Sequence, residues 1–140
     1  MMRTKETNKN SMKQKKKILI VEDNPADEFF TRKALEDLPL NLESTSDGEE
    51  TINRLTSSLS EDLPDIILLD LNLPKIHGLS VLKYIKEHPG LENIVVIVVS
   101  STQDPTEINK LEKYKADGFV HKSLDFTIFK REIISKVMYT

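Results

Sequence analysis

Five alternations of a short apolar run with an amphipathic stretch predict an α/β domain, a doubly wound parallel sheet of five strands with helices on both faces. Three observations carry this. The runs IILL and IVVIVV are apolar at every position, as strands covered on both faces are. The stretches after the runs repeat apolar residues at spacings of three and four, the mark of a helix with one buried stripe. Turn and cap signals separate the units, among them Glu22-Asp23-Asn24-Pro25 and His88-Pro89-Gly90.

Each element has its own warrant. KILIV (17–21) is the first strand. Ala26, Phe30, Ala34 and Leu38 then predict a helical stripe, with Pro25 in the first turn and Asn24 or Asp23 as cap. NLEST (41–45) is half polar, which suits an edge strand. Ile52, Leu55 and Leu59 mark a second helix that fades into Ser60–Pro64. DIILLD (65–70) is the third strand, and Leu79, Leu82 and Ile85 stripe the third helix. The run 94–99 is the central fourth strand. Asp104-Pro105-Thr106-Glu107 reads as a capping box with proline at the first helical position, followed by Ile108, Leu111 and Tyr114. GFVH (118–121) is the last strand, and Phe126, Phe129, Ile133 and Val137 stripe the last helix.

Composition narrows the function classes. At 140 residues, 31% charged and 38% hydrophobic, the chain suits one soluble globular domain. It has no cysteine, which excludes disulfides and thiolate metal sites. No apolar run approaches the ~20 residues of a membrane span, and no apolar segment follows the basic start. A cytoplasmic location is expected, without membrane association. Residues 1–17 carry seven Lys/Arg and one Glu, a balance of +6 within a total of −3, so the other 123 residues carry −9. Residues 1–15 are expected to be a basic disordered tail and 16–140 the folded domain, with no output domain. No aromatic residue interleaves the lysines, so nucleic-acid binding is not expected.

In open parallel sheets, ligands bind at the carboxyl ends of the strands. Glu22 and Asp23 follow the first strand, Asp70 ends the third, Ser100 the fourth, and Lys122 follows the fifth. Each alone has a bland reading as cap, turn acid, loop filler or surface charge. Together they share one rim. Two carboxylates ~4 Å apart repel by ~4 kcal/mol at an effective dielectric of 20, a cost that a cation relieves. Oxygen ligands without a nearby histidine point to Mg²⁺. Cation, lysine, hydroxyl and carboxylate together suit a phosphoryl group, and an aspartate can be its nucleophile.

The stretches ILIVEDNPAD (18–27), DIILLDLNLPKIHGLSVL (65–82), VVSSTQD (98–104) and FVHKS (119–123) carry a resemblance to response-regulator receiver domains. Within that family the chain is most similar to the single-domain regulators associated with bacterial and cyanobacterial phytochromes. The resemblance implies a flavodoxin-like fold with strand order 2-1-3-4-5. It also implies that Asp70 accepts a phosphoryl group from a phosphohistidine of a sensor histidine kinase, of the phytochrome type. Asp23, Asp70 and the Asn72 carbonyl would ligate Mg²⁺, and Glu22 would act through a metal-bound water. Ser100 and Lys122 would bond the phosphoryl oxygens, and Phe119 would be the aromatic switch. The face of the fourth helix, fifth strand and fifth helix would carry the signal. A homodimer through that face is permitted by its mixed charges, Lys110, Glu112, Lys113 and Lys130.

The chain departs from the family pattern at two positions. Ser123 replaces a proline, and the Lys122–Ser123 bond is expected to be trans. His77 replaces an acid, with no expected consequence for mechanism. Three rivals compete with the receiver reading. An aspartate-nucleophile phosphohydrolase would need an acid where Asn72 stands. A flavin domain would need a phosphate-binding loop where EDNPAD would repel the anion. A degenerate receiver that only docks partners would not need the full set of acids, hydroxyl and lysine.

Overall fold

The computed structural model describes residues 15–140. The expected tail lies outside the described residues except for Lys15. In chain order come β1 (Lys16–Val21), α1 (Pro25–Leu35), β2 (Leu40–Thr45), α2 (Gly48–Thr56) and a 3-10 turn (Ser60–Asp62). They are followed by β3 (Ile66–Leu69), α3 (Gly78–Glu87), β4 (Val95–Ser100), α4 (Pro105–Lys113), β5 (Gly118–His121) and α5 (Phe126–Met138). All strand pairs are parallel, in the order β2-β1-β3-β4-β5. That is the expected flavodoxin-like order, with half-polar β2 at an edge as its sequence predicts.

Alternation along the strands builds two core layers. Ile18, Ile20, Ile66 and Leu68 face α1 and α5, where they meet Ala34, Leu35, Phe129, Ile133 and Val137. Leu19, Val21, Ile67 and Leu69 face the other way, against Leu55, Val81, Leu82, Ile85 and Leu111 from α2, α3 and α4. Four helices begin on an acid or amide that accepts the orphan N–H groups of the first turn: Asn24, Asp47, Asp104 and Asp125. Each such cap contributes about 0.5–2 kcal/mol.

Three expectations are corrected. The buried stripe of α1 is Thr31, Ala34 and Leu35, whereas Ala26 is exposed and Phe30 is 49% exposed, lying 6.2 Å from the Phe126 ring. A spacing of four alone drifts around the helix, and the buried face follows the mixed three-four period. Leu59 lies beyond α2, which ends at Thr56, and is exposed; Gly48, Thr51 and Leu55 make the buried side. The capping box at α4 is half formed. Asp104 accepts the Thr106 N–H at 2.9 Å, but Glu107 turns to Thr102 and His77, and the Asp104 N–H goes to Thr102 Oγ1.

The α1 correction has a measurable consequence. Leu35→Ala is expected to lower unfolding free energy by about 2–5 kcal/mol. Phe30→Ala should cost under about 1.5 kcal/mol, the worth of an exposed aromatic contact. Urea titration of the two variants distinguishes the stripes, and equal losses would restore the expectation that Phe30 is core.

Candidate functional site

The last hydrogen bonds of the ladder position the rim. The Glu22 N–H reaches the Thr45 carbonyl at 3.0 Å, and the Asp70 N–H reaches the Val21 carbonyl at 3.1 Å. The ends of β2, β1 and β3 are thereby locked side by side, and the acids that follow β1 and β3 become neighbours. On the other flank the Lys122 N–H donates to the Ser100 carbonyl at 2.9 Å. Glu22 and Asp70 are each 5% exposed, and Asp23 stands at the surface beside them. One carboxylate oxygen from each of the three lies within 4.8 Å of the others.

Lys122 crosses the sheet to meet them. Its Nζ lies 2.8 Å from Glu22 Oε1, 2.9 Å from Asp27 Oδ2 and 3.5 Å from Asp70 Oδ2. Burial disfavours the ammonium, but the hydrogen bonds to Glu22 and Asp27 and the charge of Asp70 outweigh it and raise the Lys122 pKa. Burial pushes Glu22 up to about 7, with the Asp70 charge adding to the effect and the Lys122 hydrogen bond opposing it. Four acids and one lysine leave a formal −3 when all are ionised.

The loop after Asp70 is tightly folded. The Asn72 N–H donates to Asp70 Oδ1 at 3.3 Å, and the Gly78 N–H returns to the Leu71 carbonyl at 2.9 Å. Lys75 takes the left-handed conformation (φ 68°) that turns the loop back. A Cβ on Gly78 would collide with the Asp70 carbonyl oxygen and lie 2.5 Å from Leu71 Cα. Glycine is therefore required by the approach of α3 to the acid-bearing segment.

Of the residues picked from sequence, Glu22, Asp23, Asp70, Asn72 and Lys122 stand together. Ser100 is fully buried on the same rim, but its Oγ accepts the Thr102 N–H at 3.1 Å and bonds none of the acids. Phe119, paired in register with Val98, is half-buried against the α2–α3–α4 core layer. The Lys122–Ser123 bond is trans, as no described peptide bond is cis. Asp27 is the residue that sequence reasoning missed. Its signal was the third acid of EDNPAD, in the first turn of α1, where its own N–H bonds the Asn24 cap and its carboxylate reaches Lys122.

The donor set fits a hard dication. The clustered ligand atoms are all oxygens, two of the three carboxylates are buried, and one lysine leaves their charge uncompensated. Mg²⁺ meets those terms.

Comparison with known proteins agrees with the fold and the site. Residues 18–134 match the model of the response regulator receiver domain. The polar-differentiation response regulator DivK of Brucella anthropi is 28% identical over 120 residues, covering 86% of this chain and 94% of its own. The phosphorylated cyanobacterial phytochrome response regulator RcpA superposes with a TM-score of 0.80 at 32% identity, over 91% of this chain and 96% of that one. The Mn²⁺-bound response regulator Rcp1 gives 0.79 at 28% identity, over 89% and 94%. With an acid cluster beside a lysine at the strand ends of that fold, this chain belongs to the response-regulator receiver family of two-component signalling.

Proposed function

We propose that Asp70 accepts a phosphoryl group from a phosphohistidine of a sensor histidine kinase in a Mg²⁺-dependent reaction. The observation that carries this is the convergence of Glu22, Asp23 and Lys122 on one nearly buried aspartate. An Asp70 oxygen attacks phosphorus, the P–N bond breaks, and the imidazole leaves with the electron pair, giving an acyl phosphate. Asp23, Asp70 and Asn72 would hold Mg²⁺, with Glu22 behind a water, and the ion would neutralise phosphoryl oxygens. Lys122 lies 3.5 Å from the Asp70 carboxylate and would pair with the incoming oxygens. Ser100 would donate its hydroxyl once it leaves Thr102, and Phe119 would follow inward, altering the α4–β5–α5 face.

The similarity to the phytochrome response regulator RcpA supports a kinase partner of the phytochrome class, and the similarity to RcpA and Rcp1 supports a chain folded as a receiver over 16–140. The mixed charges of the α4–β5–α5 face, with Lys110, Glu112, Lys113 and Lys130, are compatible with a homodimer. Incubation with Mg²⁺ and a small phosphodonor should add one phosphoryl group by intact mass, and Asp70→Asn should add none. Lys122→Ala should still be modified but should lose the conformational response. Modification of Asp70→Asn would move the acceptor elsewhere.

Glu22 adds a pH signature. Its pKa rises from 4.5 to about 7 on folding. The folded chain thus keeps a proton that the unfolded chain has released. The stability this confers is full below about 4.5 and is lost as pH climbs through about 7. The same proton competes with a cation. Calorimetric Mg²⁺ affinity is expected to fall as pH drops below about 7, and Glu22→Gln should flatten that dependence. A slope unaltered by Glu22→Gln would assign the proton to another group.

A further inference from the structure

His77, Glu107 and Thr102 form a chain of polar contacts to which phosphoryl transfer itself gives no task. His77 caps α3, its Nδ1 accepting the Leu79 N–H at 3.1 Å. That acceptor role leaves the proton of the neutral ring on Nε2. Nε2 lies 3.4 Å from Glu107 Oε2, in the first turn of α4. The other Glu107 oxygen takes the Thr102 hydroxyl at 2.6 Å. Thr102 donates its own N–H to Ser100 Oγ at 3.1 Å and accepts the Asp104 N–H at 3.2 Å. The line therefore runs from the N-terminus of α3, across a cleft of about 460 Å³ that Lys83 and Lys110 also line, to the buried hydroxyl on the rim.

We propose that this chain is a tether on the Ser100 loop, which sets how readily the hydroxyl reaches a phosphoryl group on Asp70. The proposal rests on the roles given above to Asp70 and Ser100. Ser100 Oγ is engaged with Thr102 and with none of the acids. To turn toward Asp70 it either abandons the Thr102 N–H or draws Thr102 along. Abandonment leaves a backbone donor without its partner. Drawing Thr102 along stretches its bond to Glu107, which His77 holds from the far side. The second route is the one that the links to Glu107 and His77 oppose. His77, Glu107 and Thr102 are thus positioning residues for the switch, and His77 gains the consequence that the sequence denied it.

Beryllofluoride with Mg²⁺ is the probe, because it forms a phosphoryl-like adduct on a carboxylate. Glu107→Ala and Thr102→Val should each tighten its uptake about two- to fivefold, with affinity for Mg²⁺ alone unchanged. His77→Asn separates the two duties of that ring. Asparagine caps a helix well but is too short to reach Glu107, so uptake should tighten to the same degree in a protein of unchanged melting temperature. Combining His77→Asn with Glu107→Ala should add nothing to Glu107→Ala alone. In a Ser100→Ala background the gains should vanish. Unchanged uptake, additive gains, or gains that persist without the Ser100 hydroxyl would overturn the tether while leaving Asp70 as acceptor. A wild type that takes up no beryllofluoride would overturn the reading of Asp70 and the tether's role with it.

Discussion

Among the described residues, one ammonium group opposes the negative charge gathered at the sheet's carboxyl edge. Lys122, 18% exposed, spans Glu22, Asp27 and Asp70, acids from two separate strand ends and a helix. Buried ion pairs of this kind contribute little net stability, since desolvation offsets most of the attraction, but losing one partner strands the others. The cluster is therefore better understood as a poised electrostatic imbalance than as a clamp. The fold tolerates it because the two apolar layers beneath supply the stability. The imbalance favours a hard cation among the carboxylate oxygens.

Rigidity beneath the rim converts strand order into chemistry. The cross-strand bonds from Glu22 to Thr45 and from Asp70 to Val21 are continuations of the β-ladder rather than loop contacts. Gly78 lets α3 press directly on the segment that carries Asp70. By contrast, the residues that would move are held by side chains. Ser100 is held by Thr102, Thr102 by Glu107, and Glu107 by His77. Backbone bonds fix the acid cluster, and bonds that involve side chains hold the segment beside it.

Most of this arrangement was legible in the sequence, and the gaps have physical causes. Asp70, Glu22 and Asp23 announced themselves because each ends or follows a run too apolar for an unpaired acid. Asp27 did not, because a helical acid in a first turn is ordinarily a dipole partner, and only the orientation of α1 brings it to Lys122. Phe30 misled because phenylalanine is read as core. The α1 face instead buries Thr31, and Phe30 packs sideways against Phe126. Glu107 fitted a capping box by spacing, yet tertiary partners took its oxygens. His77 was read as inert because histidine is not among the usual helix-capping residues, and because its contact with Glu107 crosses to α4.

The polar edge strand has its own effect on solubility. Around β2, Arg54 clasps Glu43 through its Nε and a terminal amino group, at 2.6 and 3.0 Å, while Arg32, Glu28 and Ser44 close a second ring of hydrogen bonds. Any foreign strand seeking to extend the sheet there would have to settle among these charged pairs, which β-sheet proteins use to discourage edge-to-edge aggregation. The half-polar composition that made NLEST the faintest strand is thus also what keeps the sheet from growing beyond it.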